Sequence, residues 1–173
     1  MKKFVIRPAV AADLAPIMAL IDATVRGMEK SEWFLPDTEE YMAAHLDGPG
    51  GFCLVAETAE EPRELAAYHT VKLAGTAPDA LGQYLGMSRE ELLMTAQMDS
   101  CCVAAKYRGN GLQGRLIDAV ERRLAGMPYR HYLATIHPDN AASLQNSLRH
   151  GYTVAATTLC YGDKLRNIMR KDV

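Results

Sequence analysis

The sequence predicts an α+β sandwich, with helices lying on a mixed sheet. Three observations carry this. Apolar residues at helical spacing recur in several segments, and between them stand short strand-like runs. One such run, Cys101, Cys102, Val103, Ala104 and Ala105, leads through the glycine-rich turn Tyr107-Arg108-Gly109-Asn110-Gly111-Leu112-Gln113-Gly114 into an amphipathic helix. A further run from His131 to Ile136 follows, so the order here is strand, turn, helix, strand.

The elements can be read in chain order. Val5-Ile6-Arg7 is a first strand, and Asp13 caps a helix with Leu14, Ile17, Met18, Ile21 and Val25 on one face. Asp37 to Glu40 has the pattern of a capping box opening a second helix through about Leu46, and Gly48-Pro49-Gly50-Gly51 ends it. Phe52 to Glu57 and Leu65 to Leu73 read as a hairpin joined by the polar turn Thr58 to Glu64. Residues 74–95 are then longer than a connection requires. They hold two short helical pieces, Pro78 to Leu85 and Ser88 to Leu93, the second with a Ser88/Glu91 capping box. Such an insertion frames a pocket or a contact surface, or is surface decoration. After the glycine turn, Leu112, Leu116, Val120 and Leu124 form a buried stripe, ended by Gly126 and Pro128. The run from His131 closes at His137-Pro138, and Asp139 caps the helix beyond it.

Composition narrows the class. At 173 residues, 49% hydrophobic and 23% charged, with no linker-like stretch or repeat, residues 1–173 are expected to form one domain. Arg7, Pro8 and Asp13 interrupt the N-terminal apolar stretch and no run is long enough for a membrane helix; a cytoplasmic protein with no membrane partner is expected. Cys53, Cys101, Cys102 and Cys160 contain no C-x-x-C and read as reduced strand residues. The histidines at 45, 69, 131, 137 and 150 show no ligand spacing, so no metal is expected.

The glycine turn carries the chemistry. A strand, a glycine turn and a helix N-terminus direct several backbone N–H groups, and the positive end of the helix dipole, at one point where an anion can bind. Between Val103 and Arg130 the bases Lys106, Arg108, Arg115, Arg122, Arg123 and Arg130 oppose only Asp118 and Glu121, a net of +4 in a chain whose net charge is −2. A positive patch in an otherwise acidic protein attracts a polyanionic cofactor and disfavours bulk nucleic acid. Arg115, Arg122 and Arg123 read better as a solvated helix face, whereas Arg108 lies inside the turn. Gly109 to Gly114 also satisfies G-x-G-x-x-G, but the dinucleotide fold wants an acid about 20 residues further on. Ala134 stands there, and the chain left over is too short for the remaining strands.

Val103 to Gln113 resembles the V-x-P-x-Y-R-G-x-G-x-G/A signature of the GNAT acyltransferase superfamily. Val103, Tyr107, Arg108, Gly109 and Gly111 match; Ala105 replaces the frequent proline and Gln113 the usual Gly or Ala. Asn140 with Ser143 resembles the family's N-x-x-(A/S), and Gly151-Tyr152 its closing G-F, so the likeness covers most of residues 96–161. It implies an α/β/α-layered fold on a mixed, mostly antiparallel sheet, and acetyl-coenzyme A (acetyl-CoA) as co-substrate. By resemblance the strand at Cys101, Cys102 and Val103 bonds the pantetheine and acetyl carbonyl. The amides of Arg108, Gly109, Asn110, Gly111, Leu112 and Gln113 hold the diphosphate, and Asn140 and Ser143 meet the pantetheine arm.

The implied reaction is transfer of an acetyl group to a primary amine of a small-molecule or peptide acceptor by direct attack, with Cys101 and Cys102 not acting as nucleophiles. Asp99 shares the strand parity of Cys101 and Val103 and is the candidate base, ahead of Glu57 and a half-buried His69. Where the family often carries an acidic tyrosine, four residues before the closing glycine, stands Ser147, a hydrogen-bond donor to sulfur but a poor acid. Tyr152 reads as core. A net charge of −6 outside the positive segment favours a cationic amine. Many relatives are dimers, so a homodimer is one assembly the resemblance implies, although no heptad pattern marks it. Two other readings stand beside this one: a non-catalytic coenzyme A or nucleotide sensor, and an NAD-dependent oxidoreductase.

Overall fold

In the computed structural model, which describes residues 2–173, the sheet is built outward from the early hairpin. Strand β1 (Phe4–Pro8) pairs with β3 (Gly51–Thr58), which pairs with β4 (Leu65–Lys72) and then β5 (Thr95–Val103). Beyond β5 come β6 (His131–Ile136), β8 (Lys164–Asp172) and, at the edge, β7 (Thr153–Cys160); the short β2 (Asp47–Gly48) adds to β3. Among the described residues these eight strands form one sheet, antiparallel everywhere except between β5 and β6. The fold is therefore the mixed, mostly antiparallel α+β architecture expected.

Helices cover both faces. Helix α4 (Leu112–Leu124) lays Leu112, Leu116, Val120 and Leu124, the stripe its periodicity marks, on Leu54, Ala56, Ala67, Val71, Ala96 and Met98. Helix α5 (Ala141–Arg149) packs beside it. The opposite face carries α1 (Leu14–Arg26) and α2 (Glu39–Ala44), whose Ile17, Leu20, Ile21 and Met42 bury Cys53, Val55, Tyr68 and Cys102. Residues 74–95 fold as a 3-10 turn, Leu81–Leu85, and α3 (Arg89–Leu93), opened by the Ser88/Glu91 capping box. They close over Leu133 on that same face with Ala80, Leu81, Met87 and Leu92. Gln97 Oε1 accepts a hydrogen bond from Leu81 N at 2.7 Å and ties the insertion to β5.

Three caps differ from expectation, one of them that of α5, which Asn140 caps in place of Asp139 because its Oδ1 takes the Ser143 N–H. Asp13 does not cap α1; its carboxylate takes Arg7 at 2.7 Å and the Val10 N–H at 2.8 Å, because an ion pair outcompetes a helix amide. Helix α2 is capped by Thr38, whose hydroxyl accepts from Tyr41 N at 3.2 Å. Asp37 is released to bond elsewhere.

The β4–β5 ladder contains a bulge. His69 lies opposite Cys101 but Val71 lies opposite Met98, so two steps along β4 match three along β5. Ala96 and Met98 face α4 before the bulge, and Cys101 and Val103 face it afterwards. The extra residue thus reverses which numbers point where. Asp99 shares its side with Gln97, toward α2 and the insertion, and the parity expected with Cys101 and Val103 does not hold.

Candidate active site

A cleft opens where two strands part. The parallel pairing of β5 with β6 stops at Met98 and Ala134, while β5 runs on to Val103. From that point β5 presents one edge without a strand partner. A cavity of about 800 Å³ occupies the gap, lined by Met98 to Val103, by Ala134 to Ile136, by the glycine turn and by Asn140, Ser143 and Ser147 of the α5 side.

The turn end is a backbone device. Gly109 (φ 79°) and Gly111 (φ 68°) lie in the left-handed region, and a Cβ at either would meet nothing within 4 Å. Glycine is needed there for conformation, not for space. The amides of residues 109–114 donate to no protein acceptor among the described residues, while Arg115 N resumes the helical pattern on Gly111 O. They are the orphan donors of a helix N-terminus, and the dipole adds positive potential. Arg108 does not belong to this amide set, because its N–H closes the preceding turn on Ala105 O at 3.3 Å; its side chain still lines the cavity. Asn110 is not among the lining residues; its Nδ2 braces the turn on Tyr107 O at 3.0 Å.

The remaining predicted cofactor residues, Cys101, Cys102, Val103, Gly109, Gly111, Leu112, Gln113, Asn140 and Ser143, are all brought to the cavity. Gln113 reaches across to Ser143 Oγ at 3.3 Å and joins α4 to α5. Gly114 admits His150, which a Cβ there would approach to 2.9 Å. Asn140 caps α5, its Oδ1 accepting from Ser143 N at 3.2 Å. Burial holds the Cys101 thiol well above its ordinary pKa, and Cys102 Sγ donates to Tyr68 Oη at 3.5 Å. Both are poor thiolates.

At the other end of the cleft the lining residues Asp99, Ser100 and Thr135 are backed by side chains from separate elements that do not themselves line the cavity. At the bulge Tyr41 Oη donates to Asp99 Oδ2 at 2.5 Å, and Ser100 Oγ donates to Asp37 Oδ2 at 2.5 Å. Burial pushes the Asp37 carboxyl up to about 6, against the Ser100 hydrogen bond. Burial also raises Asp99, against the Tyr41 hydrogen bond and the charge of Lys72. From the insertion, Asp79 binds Lys72 at 2.5 Å. Tyr161, in the turn between β7 and β8, meets Thr135 Oγ1 at 3.1 Å, its phenol pushed up to about 12 by burial. The α1–α2 connection, including Trp33 and Phe34, lines the same cavity and is pinned by Arg166 Nη2 on Glu32 O at 2.8 Å.

Asp99 and Ser147 both line the cavity. Glu57 does not, being held between Arg7 at 2.8 Å and Arg63 at 2.7 Å. His69 is 3% exposed rather than half-buried; it lines the cavity with Nδ1 unpartnered among the described residues, and burial lowers its pKa to about 4. Tyr152 is buried and donates to Glu121 Oε1 at 3.0 Å. Sequence reasoning missed Asp37, Tyr41 and Tyr161. The spacing of Asp37 and Tyr41, four apart, was the one available signal, and the capping pattern masked it.

The family of acetyltransferases known as GNAT matches residues 23–152, and the chain belongs to that family. It is an acetyl-CoA-dependent N-acetyltransferase. Solved structures of the same fold include yncA of Salmonella typhimurium with its cofactor acetyl-CoA, 20% identical, covering 98% of this chain and 94% of that one, TM-score 0.73. Arabidopsis thaliana NAA60 in complex with a bisubstrate analogue is 16% identical over 99% of each chain, TM-score 0.75. The ribosomal-protein-S18-alanine N-acetyltransferase of Escherichia coli is 15% identical over 98% of this chain and 94% of that one, TM-score 0.70. No curated protein sequence matches. No described helix is long and apolar enough to cross a membrane.

Proposed function

We propose that the chain transfers the acetyl group of acetyl-CoA to a primary amine of a small cationic acceptor by direct attack. The observation that carries this is one cavity with unpaired amides at residues 109–114 at one end and the Asp99 carboxylate at the other. The residues present fit the cofactor: an anion cradle for a diphosphate, a free strand edge at 101–103 for the pantetheine amides, and Asn140 and Ser143 beside it. When bound, acetyl-CoA supplies the acetyl group as a thioester with a thiol leaving group. Asp99 attracts the acceptor's ammonium and takes its proton, either directly or through one water. Ser147 offers a hydroxyl hydrogen bond toward the leaving sulfur, and water supplies the proton. Burial raises the thiols of Cys101 and Cys102 and makes them poor nucleophiles, which supports direct attack.

The charge around the bulge supports a cationic acceptor. Asp37, Asp79 and Asp99 oppose Lys72 there. A peptide amine is the second acceptor class, since the α1–α2 connection leaves exposed surface at Ser31, Glu32 and Leu35. The same reading takes residues 1–173 as one cytoplasmic domain, with a homodimer as its assembly. Family membership sets aside the sensor and the NAD-dependent oxidoreductase. A screen of thiol release across polyamines, amino sugars, free amino compounds and peptides tests the acceptor. Turnover confined to small amines with a second positive charge is expected; turnover on peptides alone overturns the small-acceptor reading.

A further inference from the structure

Asp99 could not serve as a base in just any orientation: a carboxylate in a buried strand bulge needs a group that fixes one oxygen and favours its charged form. Among the described residues Tyr41 Oη is the hydrogen-bond donor on Oδ2, and Oδ1 receives none. Tyr41 is itself immobilised. Its ring stacks on His45 with centroids 4.0 Å apart and planes at 22°, its carbonyl accepts from His45 Nδ1 at 2.8 Å, and its N–H sits in the Thr38 cap. The hydroxyl has little freedom to leave the bulge.

We propose that Tyr41 is the positioning residue of the reaction: by donating to Oδ2 it fixes the Asp99 carboxylate and leaves Oδ1 as the oxygen that takes the acceptor's proton. This rests on the reading of Asp99 as the base. In the step it supports, an N–H bond of the acceptor ammonium breaks as an O–H bond forms on Oδ1. The nitrogen keeps its electron pair, and the proton later passes from Asp99 to water. Tyr41 keeps its own proton throughout, since burial and the neighbouring carboxylates hold its phenol far above the ordinary range.

The groups facing this carboxylate are Tyr41 of α2, His45 at its C-terminal end, Asp37 before it, Lys72 of β4, Asp79 of the insertion and Tyr161 of the β7–β8 turn. Burial and the carboxylates raise Asp99; Tyr41, Lys72 and His45 lower it. Removing the Tyr41 hydroxyl therefore raises the Asp99 pKa, and the acid limb of activity moves to higher pH.

The experiment is a carboxyl-carbon NMR titration of aspartate-labelled protein without acetyl-CoA, on wild type, Tyr41→Phe and Asp99→Asn, with kcat/KM against pH on the same three. Asp99→Asn assigns the resonance. Tyr41→Phe keeps the ring on His45, and its melting temperature reports whether it folds. Expected is an Asp99 midpoint about one pH unit higher in Tyr41→Phe, the size of one lost hydrogen bond to a charged group, with the acid limb moving in parallel. Asp99→Asn should lower kcat/KM by roughly 100-fold or more on the plateau above the acid limb and remove that limb. An unmoved midpoint, or a uniform loss of activity with the limb in place, overturns the role of Tyr41 while the base reading stands. Full activity in Asp99→Asn overturns the base reading, whatever the titration shows, and removes the catalytic meaning of Tyr41 with it.

Discussion

The two ends of the cleft are built from different materials. At the α4 end, six consecutive amides and two left-handed glycines make a cradle from a single stretch of backbone, and the side chains there brace the turn or tie it to α5. At the bulge end, backbone contributes only the kink. The chemistry comes from Asp99 on β5, which lines the cavity, and behind it stand Tyr41 on α2, Asp37 before it, Asp79 in the insertion and Tyr161 after β7. A backbone device suits a partner that never changes, because it depends on few side chains. A side-chain device on separate elements can be retuned one substitution at a time, which suits the acceptor.

The largest effect is expected at the cradle, from a change of backbone conformation. Gly111→Val places a β-branched residue at φ 68° with open space around its Cβ, so it disturbs the turn without a clash. Acetyl-CoA affinity should fall about 100-fold or more. At a concentration 100 times the wild-type Kd, the stabilisation of about 2.7 kcal/mol expected in thermal melts of the wild type should fall to about 0.4 kcal/mol or less. A retained shift would remove Gly111 from the site.

An intermediate effect is expected at the bulge. Because burial disfavours the Asp37 carboxylate, the folded chain holds that proton more tightly than the unfolded chain does, its pKa being raised from 3.8 to about 6. The stabilising preference is present below the unfolded value and is lost as pH rises through that window. Asp37→Asn should therefore flatten stability between those two pH values and raise it at pH 7, on the order of 1 kcal/mol after solvent screening. Urea titrations across the range check it. A variant less stable at pH 7 would show that the Ser100 hydrogen bond outweighs the burial of charge.

The smallest effect is expected at Gln113. Gln113→Ala removes the bridge to Ser143 but keeps the amide, so stability should drop by about 1 kcal/mol with acetyl-CoA affinity changed less than roughly threefold. A tenfold loss of affinity by calorimetry would mean that side chains, not amides alone, read the cofactor.

Much of the α4 half was legible from local patterns. The Leu112 to Leu124 stripe, the Ser88/Glu91 box and the early hairpin all appear within two residues of the expected places. The misreadings at Asp13, Asp37 and Glu57 share one cause. Asp13 and Asp37 look like caps in the sequence, yet each found a partner farther away, Arg7 across a turn and Ser100 across the sheet. Glu57 looked available until Arg7 and Arg63 enclosed it. Strands β7 and β8 carry weak alternation because β7 is an exposed edge, and nothing local marks their pairing.

By itself the amino-acid order determined the glycine turn, the helix it opens and the positive charge around both. Those depend on the sign of φ, orphan amides and a 3.6-residue period, which neighbouring residues settle among themselves. The tertiary structure decided the acceptor end. The bulge is a mismatch of register between β4 and β5, strands whose paired residues lie some thirty positions apart, and it parted Asp99, on the Tyr41 side with Gln97, from Cys101 and Val103 on the α4 side. No stretch of chain contains that relation, because it exists only once the two strands have been hydrogen-bonded and α2 has been packed across them.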